Sequence, residues 1–177
     1  MLITLQQIRD KSPCADGWAK LLKSCGNPAD LSIQVSFGDI AKSNGALDAL
    51  WCLRCINDRK FGVSLILPTV KRAAKHTDDQ RVHGCIAVLD RVVSGESVRK
   101  IQLYNAYAAA YAAVRTAAYA SAASAASFAA AYAYASAASA ASFAAVWASA
   151  TSADEKQQQI HDIIALSPLH TLKSKAN

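Results

Sequence analysis

Tyr119–Ala130 reads YASAASAASFAA, and the same twelve residues return at Tyr134–Ala145, an internal repeat of fifteen residues. The segment around them, 106–150, is almost wholly Ala, Ser and aromatic residues, with no Gly or Pro. Ala has the highest helix propensity because it orders no side chain, so the tract predicts helix. The expected fold class is all-α: a compact helical domain carrying a long Ala/Ser/aromatic tract. As one helix, 98–166 would reach about 100 Å, against roughly 40 Å for a compact domain of this size. The tract is therefore expected to fold back as two or more packed helices, with breaks in the Ser-rich stretches Ala122–Ser127 or Ala137–Ser142.

Tyr104, Tyr107, Tyr111, Arg115 and Tyr119 recur every three to four residues, and Phe128, Tyr132, Phe143 and Trp147 form a second stripe. Fifteen residues over four turns is about 3.75 per turn, nearer an ordinary packed helix than a heptad coiled coil. These aromatic stripes suit internal packing first and an interface second. The stretch from Thr116 to Thr151 is uncharged and long enough to span a bilayer. It lacks Leu and Ile, holds Val only at Val146, and places Ser at every third residue, so insertion is unfavourable and no stable membrane span is expected.

Ahead of the tract, Thr4 is placed to cap a short helix that stops before Pro13, and Asp16–Ser24 reads as a second helix with Trp18, Leu21 and Leu22 on one side. LSIQV at Leu31–Val35 alternates but has no evident partner, so an extended connector is expected. Ser36 and Asp39 mark a helix start, and Ser43-Asn44-Gly45 its end; ALDALWCLRCI then reads as one core helix. FGVSLILPTVKRAAKH predicts a kinked or broken helix at Pro68. Thr77 with Gln80 resembles a capping box before a helix ended by Ser94-Gly95, and Ser97 is the expected cap of the long tract. The organisation predicted is a basic helical part over 1–97 and an alanine-rich part over 98–177, forming one structural unit.

Charge is uneven: residues 1–100 hold 15 Lys/Arg against 10 Asp/Glu, within a chain of net charge +6. Arg54, Arg59, Lys60, Lys71, Arg72 and Lys75, opposed nearby only by Asp58, form the strongest surface candidate. Such residues can contact phosphates or simply line a solvated face.

Catalytic signatures are lacking. His76, His83, His161 and His170 belong to no H-E-x-x-H, no G-x-S-x-G accompanies them, and no glycine-rich phosphate loop occurs. Cys52 and Cys55 make a C-x-x-C, a spacing that serves metal binding or redox chemistry, but both sit in an apolar helical phrase, whereas structural zinc takes about four ligands. The reading favoured is that of small core residues. No catalytic residue, metal or cofactor is expected. The chain opens MLITLQQIRDK without a basic start, apolar run and cleavage site, so reduced thiols in the cytoplasm of a bacterial host are expected for its five cysteines.

The phrases KSPCADGWAKLLKSCG, DIAKSNGALDALWCLRCI and DDQRVHGCIAVLDRVVSGES, followed by an Ala/aromatic tract, resemble small alanine-rich phage, prophage and bacterial proteins labelled hypothetical or putative immunity protein. This resemblance implies an all-helical chain without an assigned catalytic site. The expected function is a non-enzymatic interaction factor that binds and blocks a host or competitor protein, of anti-defence (for example anti-CRISPR) or immunity type. A nucleic-acid-binding accessory protein and a membrane-active holin-like protein are the alternatives, and a homo-oligomer is compatible with the pattern.

Overall fold

The computed structural model describes residues 1–75, 78–106, 108 and 153–167. Helix dominates them, with one small antiparallel sheet. The repeat, its Ser-rich breaks and the residues Tyr107, Tyr111, Tyr119, Phe128, Tyr132, Phe143 and Trp147 lie outside the described residues, as do His76 and His170.

The chain divides into two compact units, Met1–Ile56 with Ala153–Asn177, and Asn57–Ser152. In the first, β1 (Leu2–Thr4) enters α1 (Leu5–Arg9), and α2 (Ala15–Ser24) follows. Next come β2 (Gln34–Ser36), α3 (Phe37–Asn44), α4 (Ala46–Trp51) and a 3₁₀ turn at Cys52–Cys55. Strands β1 and β2 pair with Ile3 opposite Val35. The expected connector is thus a paired strand: its partner is a three-residue element at the other end of the unit, too short to show alternation. Burial is the compensation, since Ile3 and Val35 are 1% and 0% exposed.

Both strands end on a helix cap. Thr4 Oγ1 accepts from the Gln7 amide (3.1 Å) and the Thr4 amide donates to Gln7 Oε1 (2.8 Å). Ser36 and Asp39 repeat the exchange at 3.0 and 2.8 Å. Each capping box satisfies two amides that a helix start leaves without partners. The core helix expected from ALDALWCLRCI is two pieces, α4 tightening into the 3₁₀ turn.

In the second unit, α5 (Arg59–Ala74) packs on α6 (Gln80–Ser94), and the described residues 100–106 belong to a further helix, α7. Helix α5 is one continuous element through Pro68, so of the kink or break expected there the break does not occur. An interior proline costs about 3 kcal/mol. Burial of Leu65, Ile66, Leu67 and Val70 around it offsets that, at about 1.5–3 kcal/mol per large apolar side chain. The cap of α6 is Asp79, whose carboxylate accepts from the Arg81 amide at 2.9 Å; Thr77, expected from the sequence, lies outside the described residues. Gly95 ends α6 in the left-handed region (φ 87°). Helix α7 begins after Arg99, whose amide donates to Gln102 Oε1, instead of at Ser97.

Helix α8 (Ala153–Leu166) belongs to the first unit, where it packs on α3 and α4, and its Gln159 and Ile163 are buried.

Candidate functional site

The first unit holds a cavity of about 200 Å³ bounded by α1, α2, α3, α4 and the 3₁₀ turn. Its apolar wall is Ile8, Pro13, Trp18, Leu21, Ile40 and Trp51; Cys14, Gly17, Asn44, Asp48 and Cys52 supply the rest. Asp48 is the one charged residue of that lining.

A polar strut fixes the cavity's edge. Asn44 Nδ2 donates to the Gly17 carbonyl at 2.7 Å and to Asp48 Oδ2 at 2.9 Å, and its own Oδ1 accepts from Ser43 Oγ at 2.7 Å. One side chain at the end of α3 thereby holds α2 against α4. A methyl at Gly17 would meet Asp48 Oδ2 at 2.8 Å and Cys14 Sγ at 3.1 Å, so a larger residue there displaces the Asp48 carboxylate. Cys14 itself caps α2, its sulfur accepting from the Gly17 amide at 3.4 Å.

Trp51 is braced from outside. The Arg54 guanidinium carbon sits 4.2 Å from the indole centroid, a cation–π contact, while Arg54 Nε is buried with no hydrogen-bond partner among the described residues. Cys52 is 3% exposed on the cavity wall, and Cys55, half-buried, donates to the Gln7 carbonyl at 3.6 Å.

The six basic candidates separate. Arg54 belongs to the first unit; Arg59, Lys60, Lys71, Arg72 and Lys75 belong to the second. Arg59 and Lys60 open α5 whereas Lys71 and Arg72 close it, about 18 Å apart at 1.5 Å per residue. Lys71 pairs with Asp90 at 2.6 Å, and an Arg72 amine donates to Thr69 Oγ1 at 3.3 Å. From Asn57 to Ala106 there are nine Lys/Arg and five Asp/Glu; residues 1–56 with 153–167 hold seven and eight. The basic surplus of the first hundred residues is therefore a property of the second unit. Tyr104, the described member of the aromatic stripes, is 47% exposed on α7.

The sequence places Trp18 on one side of a helix and Trp51 in a core helix, and does not show the cavity that both line. The pairing of Asp48 with Trp51 three residues later on α4 was the available signal; its meaning depends on α2 lying opposite.

Among the described residues no group of three or more His, Cys, Asp or Glu is placed to hold a metal ion, and no helix is long and apolar enough to cross a membrane. Comparison with protein-family models, curated proteins and solved structures gives no match.

Proposed function

We propose that this chain is a non-enzymatic interaction factor that binds and blocks another protein, with the cavity of the first unit receiving one anchor side chain of that partner. The carrying observation is the cavity's size and lining. At about 200 Å³ it is below the roughly 300–1,000 Å³ typical of cofactor and small-molecule sites. It matches the scale on which protein interfaces concentrate affinity, a buried anchor in a well-formed pocket. Its apolar wall favours a long alkyl stem, and Asp48 favours a cationic head, so the partner of choice presents a Lys or Arg. The resemblance to phage and prophage immunity-labelled proteins supports the same reading, with a host defence protein or a competitor's toxin as the blocked target.

The test is capture of partners on a tagged chain from bacterial host cells, repeated with Gly17→Ala, which encroaches on the cavity, and Asp48→Asn, which removes the charge but keeps an oxygen facing Asn44. A partner held by the parent chain and lost from both folded variants supports the reading. A partner retained by both defeats it.

A nucleic-acid-binding role is the second reading, favoured by the cationic surplus of the second unit. Lys71 and Arg72 already have protein partners there.

A further inference from the structure

Cys52 and Cys55 are the first and last residues of the 3₁₀ turn. With three residues per turn, side chains at i and i+3 eclipse, and three steps of about 2.0 Å put the Cα atoms about 6 Å apart. That lies within the separation of about 4.4–6.8 Å at which cysteines are bridged. Cys55 Sγ also reaches the Gln7 carbonyl at 3.6 Å, which fixes the open end of the turn. Their exposures differ: Cys52 is 3% exposed, while Cys55 is half-buried and reachable from solvent.

We propose that Cys52 and Cys55 are a redox-active dithiol that reduces a small disulfide of the glutathione class, Cys55 attacking and Cys52 resolving. The Cys55 thiolate attacks one sulfur of the disulfide, forming a mixed disulfide and releasing the first glutathione thiolate, which takes up the proton that Cys55 gave to solvent. Cys52 then loses its proton and attacks Cys55 Sγ, closing the protein disulfide and releasing the second glutathione thiolate, which is protonated in turn. The protein gives up two electrons and two protons, and one disulfide becomes two thiols.

The surroundings suit these roles. The neighbouring Cys52 thiol holds the Cys55 thiol below its ordinary range, aided by Lys11 and Arg54 and opposed by burial and Asp10. Cys55 beside it, burial and the Asp48 charge push Cys52 up, keeping it a thiol until Cys55 is capped. A thiolate accessible beside cations is the reactive kind. Capping Cys55 removes the negative charge that holds the Cys52 proton, so the second step follows from the first.

The experiment treats the whole reduced chain with oxidised glutathione under native conditions, traps thiols by alkylation and maps the peptides by mass spectrometry. The expected product is a Cys52–Cys55 disulfide with release of two glutathione thiols per chain. Its rate should rise with pH about a midpoint below the ~8.5 of an ordinary thiol. Cys52→Ser should stop at a stable glutathione adduct on Cys55, and Cys55→Ser should leave Cys52 unmodified. The parent chain alone decides the matter if either variant fails to fold. Reduced Cys52 and Cys55 while Cys14 or Cys25 carries glutathione would overturn the proposal, as would a lasting adduct on Cys55 of the parent.

Discussion

Gly38, in the first turn of α3, lies so close to the carbonyl oxygen of Ser167 that a Cβ at that position would overlap it. Ser167 follows α8, its amide donating to the Ile163 carbonyl at 2.8 Å and its hydroxyl reaching the Met1 carbonyl at 3.5 Å. The chain's first residue and the end of α8 thus meet at the start of α3. Gly38→Ala forces a methyl against the Ser167 backbone carbonyl, costing about 1–3 kcal/mol, and the helix-propensity gain of about 0.5–1 kcal/mol offsets only part of it. A net loss on the order of 1–2 kcal/mol is expected in urea unfolding. Gly84→Ala in α6 is the control: among the described residues nothing lies within 4 Å of its added methyl, so the same exchange should stabilise. Equal effects at both positions would show the approach to Ser167 to be unimportant.

Arg54 sets two effects against each other. Stacking on Trp51 contributes about 0.5–1 kcal/mol, whereas a buried donor without a partner costs about 1–3 kcal/mol. Arg54→Met keeps an apolar chain against the indole and removes the orphaned Nε. It is expected to match or exceed the parent in thermal stability, while Arg54→Ala, which loses the packing too, should fall below Arg54→Met. Arg54→Met as the weaker of the two would mean that the cation dominates.

Alkali should destabilise the second unit through Cys85. Burial pushes its thiol up to about 12, while the unfolded chain ionises near ~8.5. The folded state then holds the proton longer than the unfolded state. Its contribution is full below the unfolded value and is lost as pH rises from there toward about 12, at a slope of up to about 1.4 kcal/mol per pH unit. Unfolding free energies measured between pH 7 and 10.5 should show that decline, and Cys85→Ala should flatten it. An unchanged slope would place the alkaline sensitivity elsewhere.

The caps at Thr4 and Ser36 were legible because they depend on side chains three residues apart, and Gly95 because a left-handed C-cap favours glycine. What escaped is non-local. Strand β2 exists through Leu2–Thr4, and α5 stays unbroken at Pro68 with its neighbours buried. The cavity needs Gly17, Asn44 and Asp48 brought together from three helices. Cys52–Cys55 shows the same limit: the sequence reads as one continuous helix there, and the tightening to a 3₁₀ turn depends on the packing around it.

Charge reversal separates protein from nucleic-acid binding. A surface ion pair such as Lys71–Asp90, about half exposed on both sides, contributes only about 0–1 kcal/mol. Reversing Arg59, Lys60, Lys71, Arg72 and Lys75 to Glu should therefore leave the fold and its circular dichroism intact. Phosphate binding rests on counterion release and falls by orders of magnitude between about 50 and 200 mM salt when about 6–10 phosphates are contacted. Association anchored in an apolar cavity persists over that range. The expected outcome is weak duplex binding that disappears at the higher salt and in the reversed variant, alongside partner capture that survives both and is lost with Gly17→Ala. Tight, sequence-selective nucleic-acid binding at the higher salt, abolished by the reversal and indifferent to Gly17→Ala, would give the function to the second unit instead.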